Sequence, residues 1–422
     1  MKLHHIAVLA SVATSAASAE PTPHDLALRM LASIEQRGQA TLNPGASTGF
    51  IQLGLFWQAL AVVTEPVPLS PANDELRPLL DKSLTSTIPA FGNVTRDAEL
   101  PLDRFSLGAD MVASTLDSGS SQYRPTIDTL RASLALQPRN PNGGLWYYNN
   151  VNNLTAYQNL SYLDGMYSFA PFVTISSQLD DSGSNPGAAL EMAVQQLQIL
   201  YDICREPSGL LVHGYDALKA HRWADASTGA SPEVWGRALA WYSLGILNTL
   251  EVAGRNSVQR NSKAYKTIAS LFEDVMNAQL QAAGRSKALT GVPGVWQVVD
   301  RPGDAGNFVE ASSSSMTVYT LLRGLRLKLL DDDRAVWRQP GGSKCDSGIA
   351  ALAKDIYQSV SNEYLIPYAN GSLSLNGTSS VASLSPQNVG YEYYITRPTE
   401  LDSLIGTSAF ALASYEVGLL DT

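Results

Sequence analysis

The sequence predicts an all-α fold of six helical hairpins, and three observations lead there. Apolar residues recur at helical spacing in about twelve stretches, roughly 23–37, 48–64, 74–89, 103–116, 122–137, 160–178, 186–204, 232–252, 259–281, 308–330, 346–361 and 401–418. Breaks rich in Pro, Gly, Asn and Ser separate them, such as Pro138-Arg-Asn-Pro-Asn-Gly-Gly144 and Asp181-Ser-Gly-Ser-Asn-Pro-Gly187. Several stretches, including Trp241-Tyr-Ser-Leu-Gly-Ile-Leu247, are apolar on more than one side, as expected of a helix enclosed by neighbours. Twelve consecutive helices can stack openly as a solenoid or close into an α/α toroid. No internal period of about 30 to 45 residues is visible, which argues against tetratricopeptide or HEAT arrays.

From the start of the chain, residues 1–19 read as a secretory signal peptide. A short basic end, an apolar run from Ile6 to Val12 and the small residues Ala17-Ser-Ala19 place cleavage before Glu20. No interdomain linker follows, so residues 20–422 are expected to form one domain. Sequons at Asn93, Asn153, Asn159, Asn370 and Asn376 predict N-linked glycans and fit an exported, eukaryotic-type glycoprotein.

The chain has 422 residues and a formal net charge of -10. That charge speaks against nucleic acid or an anionic membrane as a partner, both of which want a basic patch. An anionic substrate must then be held by a local positive site. The two cysteines, Cys204 and Cys345, allow one disulfide at most. No zinc spacing, phosphate loop or EF-hand loop appears, so neither a metal nor a cofactor is implied.

Three long stretches between helices, about 205–231, 284–307 and 362–400, exceed plain connections and read as functional loops at one mouth of a barrel. The last contains Ser-Leu-Ser-Leu and Tyr391-Glu-Tyr-Tyr-Ile395, both candidates for short strands. The first runs into an expected helix start at Ser231-Pro-Glu233, with Ser as N-cap and Pro at the first helical position. On that helix Arg237 and Trp241 lie four apart and share a face. His213, Tyr215, Asp216, His221, Arg222 and Trp223 precede them. A guanidinium, aromatic plates and imidazoles together suit an anionic sugar: Arg for a carboxylate, rings for the apolar sugar face, His for hydroxyls. The plainer reading is a helix start with buried aromatics around an ion-paired Arg237, with Glu233 as its partner.

Carboxylates are the second requirement. Asp164 opens an otherwise apolar helix, Ser161-Tyr-Leu-Asp-Gly-Met-Tyr-Ser168, where an acid is desolvated; its alternative role is to cap that helix. Asp103, in Leu102-Asp-Arg-Phe-Ser-Leu-Gly108, is either a cap or a second acid, with Asp110 competing from the same face. Asp216 and Asp225 read as loop-bracing residues.

Four blocks carry a family resemblance: Leu163-Asp-Gly-Met-Tyr167 with Ala170-Pro-Phe172; His213-Gly-Tyr-Asp216 through Arg222-Trp-Ala-Asp225 to Ser231-Pro-Glu-Val-Trp-Gly-Arg237 and Trp241; Gly294-Val-Trp-Gln297 through Gly306-Asn-Phe-Val-Glu-Ala-Ser312; and Tyr391-Glu-Tyr-Tyr394. In these the chain resembles glycoside hydrolase family 105, the unsaturated rhamnogalacturonyl hydrolases, which is similar to the unsaturated glucuronyl hydrolases of family 88. The resemblance implies an (α/α)6 barrel. It also implies release of a 4,5-unsaturated uronic acid from the non-reducing end of lyase-generated oligosaccharides, foremost unsaturated galacturonyl-rhamnose from rhamnogalacturonan. The bond broken is reached by hydrating a vinyl ether, with C4 protonated and water added at C5, rather than by displacement at the anomeric carbon.

By motif, Asp164 matches the family's catalytic acid/base and Asp103 its second active-site aspartate. His213, Trp235, Arg237 and Trp241 match substrate-binding positions, with Arg237 on the uronate carboxylate; Tyr147 and Trp223 complete the expected binding set. Three departures are expected to border the second sugar: Gly144-Leu-Trp-Tyr-Tyr148, Ser168, and Phe50-Ile-Gln-Leu-Gly54. The inserted segment Asn149 to Asn159 adds two sequons near the expected mouth. Two other classes stay open on the residues alone: an inverting hydrolase of saturated sugars, and a non-catalytic carbohydrate-binding helical protein.

Overall fold

A computed structural model describes residues 20–43, 48–64, 76–149, 155–179, 185–332 and 348–421. The predicted signal peptide, the sequon at Asn153 and Cys345 lie outside the described residues. Among the described residues, twelve helices of eight residues or more alternate between two concentric layers. The outer ones are α1 (Pro23–Gln36), α3 (Pro78–Thr85), α5 (Arg124–Ala135), α7 (Pro186–Cys204), α9 (Lys263–Thr290) and α11 (Ile349–Tyr364). The inner ones are α2 (Gly49–Val63), α4 (Arg104–Ser118), α6 (Gly165–Ser176), α8 (Gly236–Gly254), α10 (Ala311–Arg326) and α12 (Leu404–Gly418). Each inner helix packs on the next, and α12 packs back on α2, so the ring closes. The structure is therefore an (α/α)6 barrel, and closure excludes the solenoid.

Burial distinguishes the layers. Every residue of α6 is buried, and in α12 only the terminal Gly418 is not. In outer α5 the buried positions are Thr126, Ile127, Leu130 and Ser133, a single stripe. Inner helices thus read as apolar all round because they face both the lumen and the outer layer.

Three two-stranded antiparallel ladders sit in the connecting loops: β1 (Leu160–Tyr162) with β2 (Gly214–Asp216), β3 (Leu365–Pro367) with β4 (Leu373–Leu375), and β5 (Thr378–Ser379) with β6 (Thr399–Glu400). Two local expectations are corrected. Ser-Leu-Ser-Leu supplies β4, but Tyr391–Ile395 is a helical turn. The helix expected to start at Ser231 starts at Gly236. Residues 233–235 stay extended because Val234 O accepts from Val299 N, Gly236 N donates to Gln297 O, and Trp235 bridges Val298. Ser231 Oγ instead accepts from Gly214 N at 3.3 Å. Tertiary backbone pairing overrides a good local cap signal.

Candidate active site

The N-terminal ends of the inner helices meet at one mouth. Asp103 stands immediately before α4, Asp164 before α6, Trp235 before α8 and Glu310 before α10. One cavity there is lined by Asp164, Trp235, Arg237 and Trp241, by Thr48 and Ile51 from α2 and its start, by Ile405 of α12, and by tyrosines and loop residues described below. Converging helix N-termini give such a mouth a positive potential without further cations, which favours an anionic ligand.

Neither aspartate caps its helix: Asp103 and Asp164 both occupy cap positions without a side-chain cap bond. Glu310, in the equivalent place, does cap, accepting from Ser313 N at 2.6 Å. Asp164 is 8% exposed. Its Oδ2 lies 3.4 Å from His213 Nε2, and neither atom has a hydrogen-bond partner. His213 is fully buried, with Nδ1 2.9 Å from the Tyr394 hydroxyl and its ring packed on Trp235 and Tyr162. It therefore stands behind Asp164 rather than on the cavity wall.

Asp103 is fully buried and accepts from the Tyr147 hydroxyl at 2.5 Å, leaving Oδ2 without a partner. Burial pushes its carboxyl up to about 7, against the lowering effect of the Tyr147 bond, with the charge of Asp164 adding to the rise. Asp103 does not itself line the cavity but stands behind Tyr147, which does; the competing Asp110 lies deeper along α4, beside Gly54 and Ser106, with no contact to a lining tyrosine.

Arg237 is 2% exposed and its guanidinium stacks 5.2 Å from the Trp235 ring. The ion pair expected with Glu233 goes elsewhere: Glu233 lies 3.7 Å from Arg301, whereas Arg237 Nη2 donates to Glu310 at 3.1 Å and to the carbonyl and hydroxyl of Ser379. Nε of Arg237 is buried without an acceptor. Gln297 braces the same wall, accepting from Trp235 Nε1 and Ser379 Oγ, both at 3.1 Å. Trp241 lines the cavity one helical turn below Arg237 and packs on Tyr167.

Trp223 lies off the cavity, donating to the carbonyls of Leu384 and Pro386 at 3.0 Å and stacking on His221. Asp216 braces its loop through the backbone of Leu218, Ala220 and His221 and through His221 Nδ1, and Asp225 does so through Ser227 and Thr228. Of the divergent stretches, Tyr147, Tyr148 and Ile51 reach the cavity, while Ser168 is fully buried away from it. Asn159 is half-buried, and Asn93, Asn370 and Asn376 are exposed. Sequence reasoning assigned no role to Glu310, Gln297, Ser379, Tyr157 or Ser383. The first two fall in the quoted motif blocks; the others carry no local signal.

A closed double ring of helices with buried carboxyls, a guanidinium and indole plates in one mouth is the makeup of a carbohydrate-active hydrolase. The sequence model of Glycosyl Hydrolase Family 88 matches residues 52–420, and the chain belongs to that family. A family 105 glycoside hydrolase from C. acetobutylicum ATCC 824 superposes with a TM-score of 0.73 at 24% identity, over 93% of this chain and 98% of that one. The unsaturated glucuronyl hydrolase of Bacillus sp. GL1, described as responsible for glycosaminoglycan degradation, superposes with a TM-score of 0.57 at 12% identity, over 93% and 94%. A 24.9 kDa protein in the picA locus of Rhizobium radiobacter is 28% identical over 237 residues, 55% of this chain and 91% of its own length. The motif resemblance to families 105 and 88 and the barrel it implied are thus met.

Proposed function

We propose that this glycoside hydrolase is exported and removes a 4,5-unsaturated uronic acid from the non-reducing end of lyase-generated oligosaccharides, with unsaturated galacturonyl-rhamnose from rhamnogalacturonan as the foremost substrate. The carrying observation is a buried acid with an uncommitted carboxyl, Asp164, on the same cavity wall system as a guanidinium with an unfilled donor, Arg237. Arg237 Nε and the helix N-termini hold the sugar carboxylate, and Trp235 and Trp241 bear on the ring.

Asp164 gives its proton to C4 of the vinyl ether. The resulting carboxylate accepts a proton from the water that adds at C5, which restores the acid. The product hemiketal opens to a C5 ketone and a C1 hemiacetal, which breaks to an aldehyde and releases the second sugar as an alcohol. One water is consumed and no redox change occurs. His213, packed behind Asp164 with its Nε2 3.4 Å from Oδ2, limits where that carboxyl can lie. Asp103, fully buried behind the cavity wall, acts through the Tyr147 hydroxyl that it holds.

The second reading is inverting displacement on a saturated sugar, which needs a second carboxyl facing the bond; Asp103 is the candidate for it, but it is fully buried behind Tyr147. Ultraviolet absorbance of the unsaturated uronyl group separates them. Its loss on mixing enzyme with lyase-treated rhamnogalacturonan supports hydration. Reducing sugar released at constant absorbance supports the inverting hydrolase, and no change in either supports a carbohydrate-binding protein.

A further inference from the structure

We infer that the outer part of the cavity is a tyrosine-walled site for an uncharged leaving sugar, with Tyr148 and Tyr157 as its specificity-determining residues; this rests on the proposed hydrolase reading of the inner part. Two tyrosines lie deep. Tyr147 and Tyr162 are buried and stacked on each other at 4.6 Å and 14°. Two lie nearer solvent. Tyr148 and Tyr157 are half-buried, 4.5 Å apart and tilted at 55°, with Tyr148 set edge-on to Tyr147 at 71°. The hydroxyls of Tyr157 and Tyr162 are anchored: Ser383 Oγ lies 3.1 Å from that of Tyr157 and 3.2 Å from that of Tyr162. All four rings line the cavity that Asp164 and Arg237 line, with Val381 and Ala382 beside them. A rigid aromatic and aliphatic wall binds the C–H face of a sugar, and anchored hydroxyls fix ring orientation.

Charge decides the class of sugar. Among the described residues lining the cavity, Arg237 is the one cation, and Glu310 already neutralises it in part. Arg237 and the helix ends serve one carboxylate. A sulfate or second carboxylate on the leaving sugar would meet no counter-charge among the described residues that line the tyrosine wall, at the cost of desolvating an unpaired anion. A neutral hexose or deoxyhexose meets no such cost.

The test uses the full-length protein and three substrates sharing the unsaturated uronate: a rhamnoside, a sulfated hexosaminide and a methyl glycoside. The expected result is a kcat/KM at least about tenfold higher on the rhamnoside than on the sulfated disaccharide. Tyr148→Ala and Tyr157→Ala should lower kcat/KM about tenfold more on the rhamnoside than on the methyl glycoside, and Tyr148→Phe should restore it to within about twofold. Equal turnover of the neutral and sulfated disaccharides, or equal losses on rhamnoside and methyl glycoside, would overturn the inference while leaving the hydrolase reading intact. Inactivity on all three substrates would sink that reading, and this one with it.

Discussion

Asp164 precedes α6 yet its side chain makes no capping bond to that helix, and its Oδ2 lies 3.4 Å from a fully buried imidazole. A capping role would leave a different trace, as Glu310 demonstrates one hairpin pair away. Asp164→Asn should therefore reduce turnover by about 10³-fold with little change in the thermal midpoint; extensive unfolding would mark the residue as structural. Arg237→Lys should raise KM with a smaller effect on kcat, because one ammonium cannot serve Glu310 and the sugar carboxylate together. A KM equal to that of the wild type would remove Arg237 from the carboxylate. Asp103 gives a pH signature. Its folded value of about 7 lies above the ordinary 3.8, so the fold retains a proton that the unfolded chain releases. Stability from this group is complete below about pH 4 and is lost as pH rises through about 7. The midpoint of Asp103→Asn relative to wild type should accordingly climb between those limits, and a constant offset across them would refute the assignment.

At the scale of elements, α6 and α8 carry the acid and the guanidinium, and their separation is set by one glycine. A Cβ at Gly245 of α8 would lie 2.4 Å from the Met166 carbonyl oxygen of α6, a contact no side-chain rotation relieves. Gly245→Ala should destabilise the protein by at least about 2 kcal/mol in urea unfolding and depress activity as the two helices part. A change below about 0.5 kcal/mol would show that the crossing is slack.

The helices themselves were legible, the outer ones from a buried stripe and the inner ones from apolar runs between Pro, Gly, Asn and Ser breaks. The start of α8 was not, because Ser231, Pro232 and Glu233 make a good local cap while the ladder to residues 297–299 lies some sixty positions away. Tyr391–Ile395 misled for a related reason: its alternation of aromatics is equally compatible with a helical turn once Tyr394 is needed against His213. Asp164, Arg237, Trp235 and Trp241 could be picked out because motif and helix position agree. The tyrosine wall could not, since Tyr157 and Ser383 meet only through the fold, 226 positions apart.

For the molecule as a whole, six parallel inner helices turn their positive ends to the reaction and their negative ends away from it. At the far end Arg323 pairs with Glu251 and Glu416, and Arg326 with Glu416 at 2.5 Å, cations suited to helix C-termini. A chain of net charge -10 can thus draw an anionic sugar to one mouth without a basic surface. No described helix is long and apolar enough to cross a membrane. The central claim is that the whole ring presents one acid to a vinyl carbon, and the position of a new C–H bond tests it most directly. Turnover of the unsaturated disaccharide in D2O, followed by NMR, should place deuterium at C4 of the released uronate. A product that keeps its vinylic C4 proton and its double bond, with the glycosidic bond nevertheless cut, would contradict it.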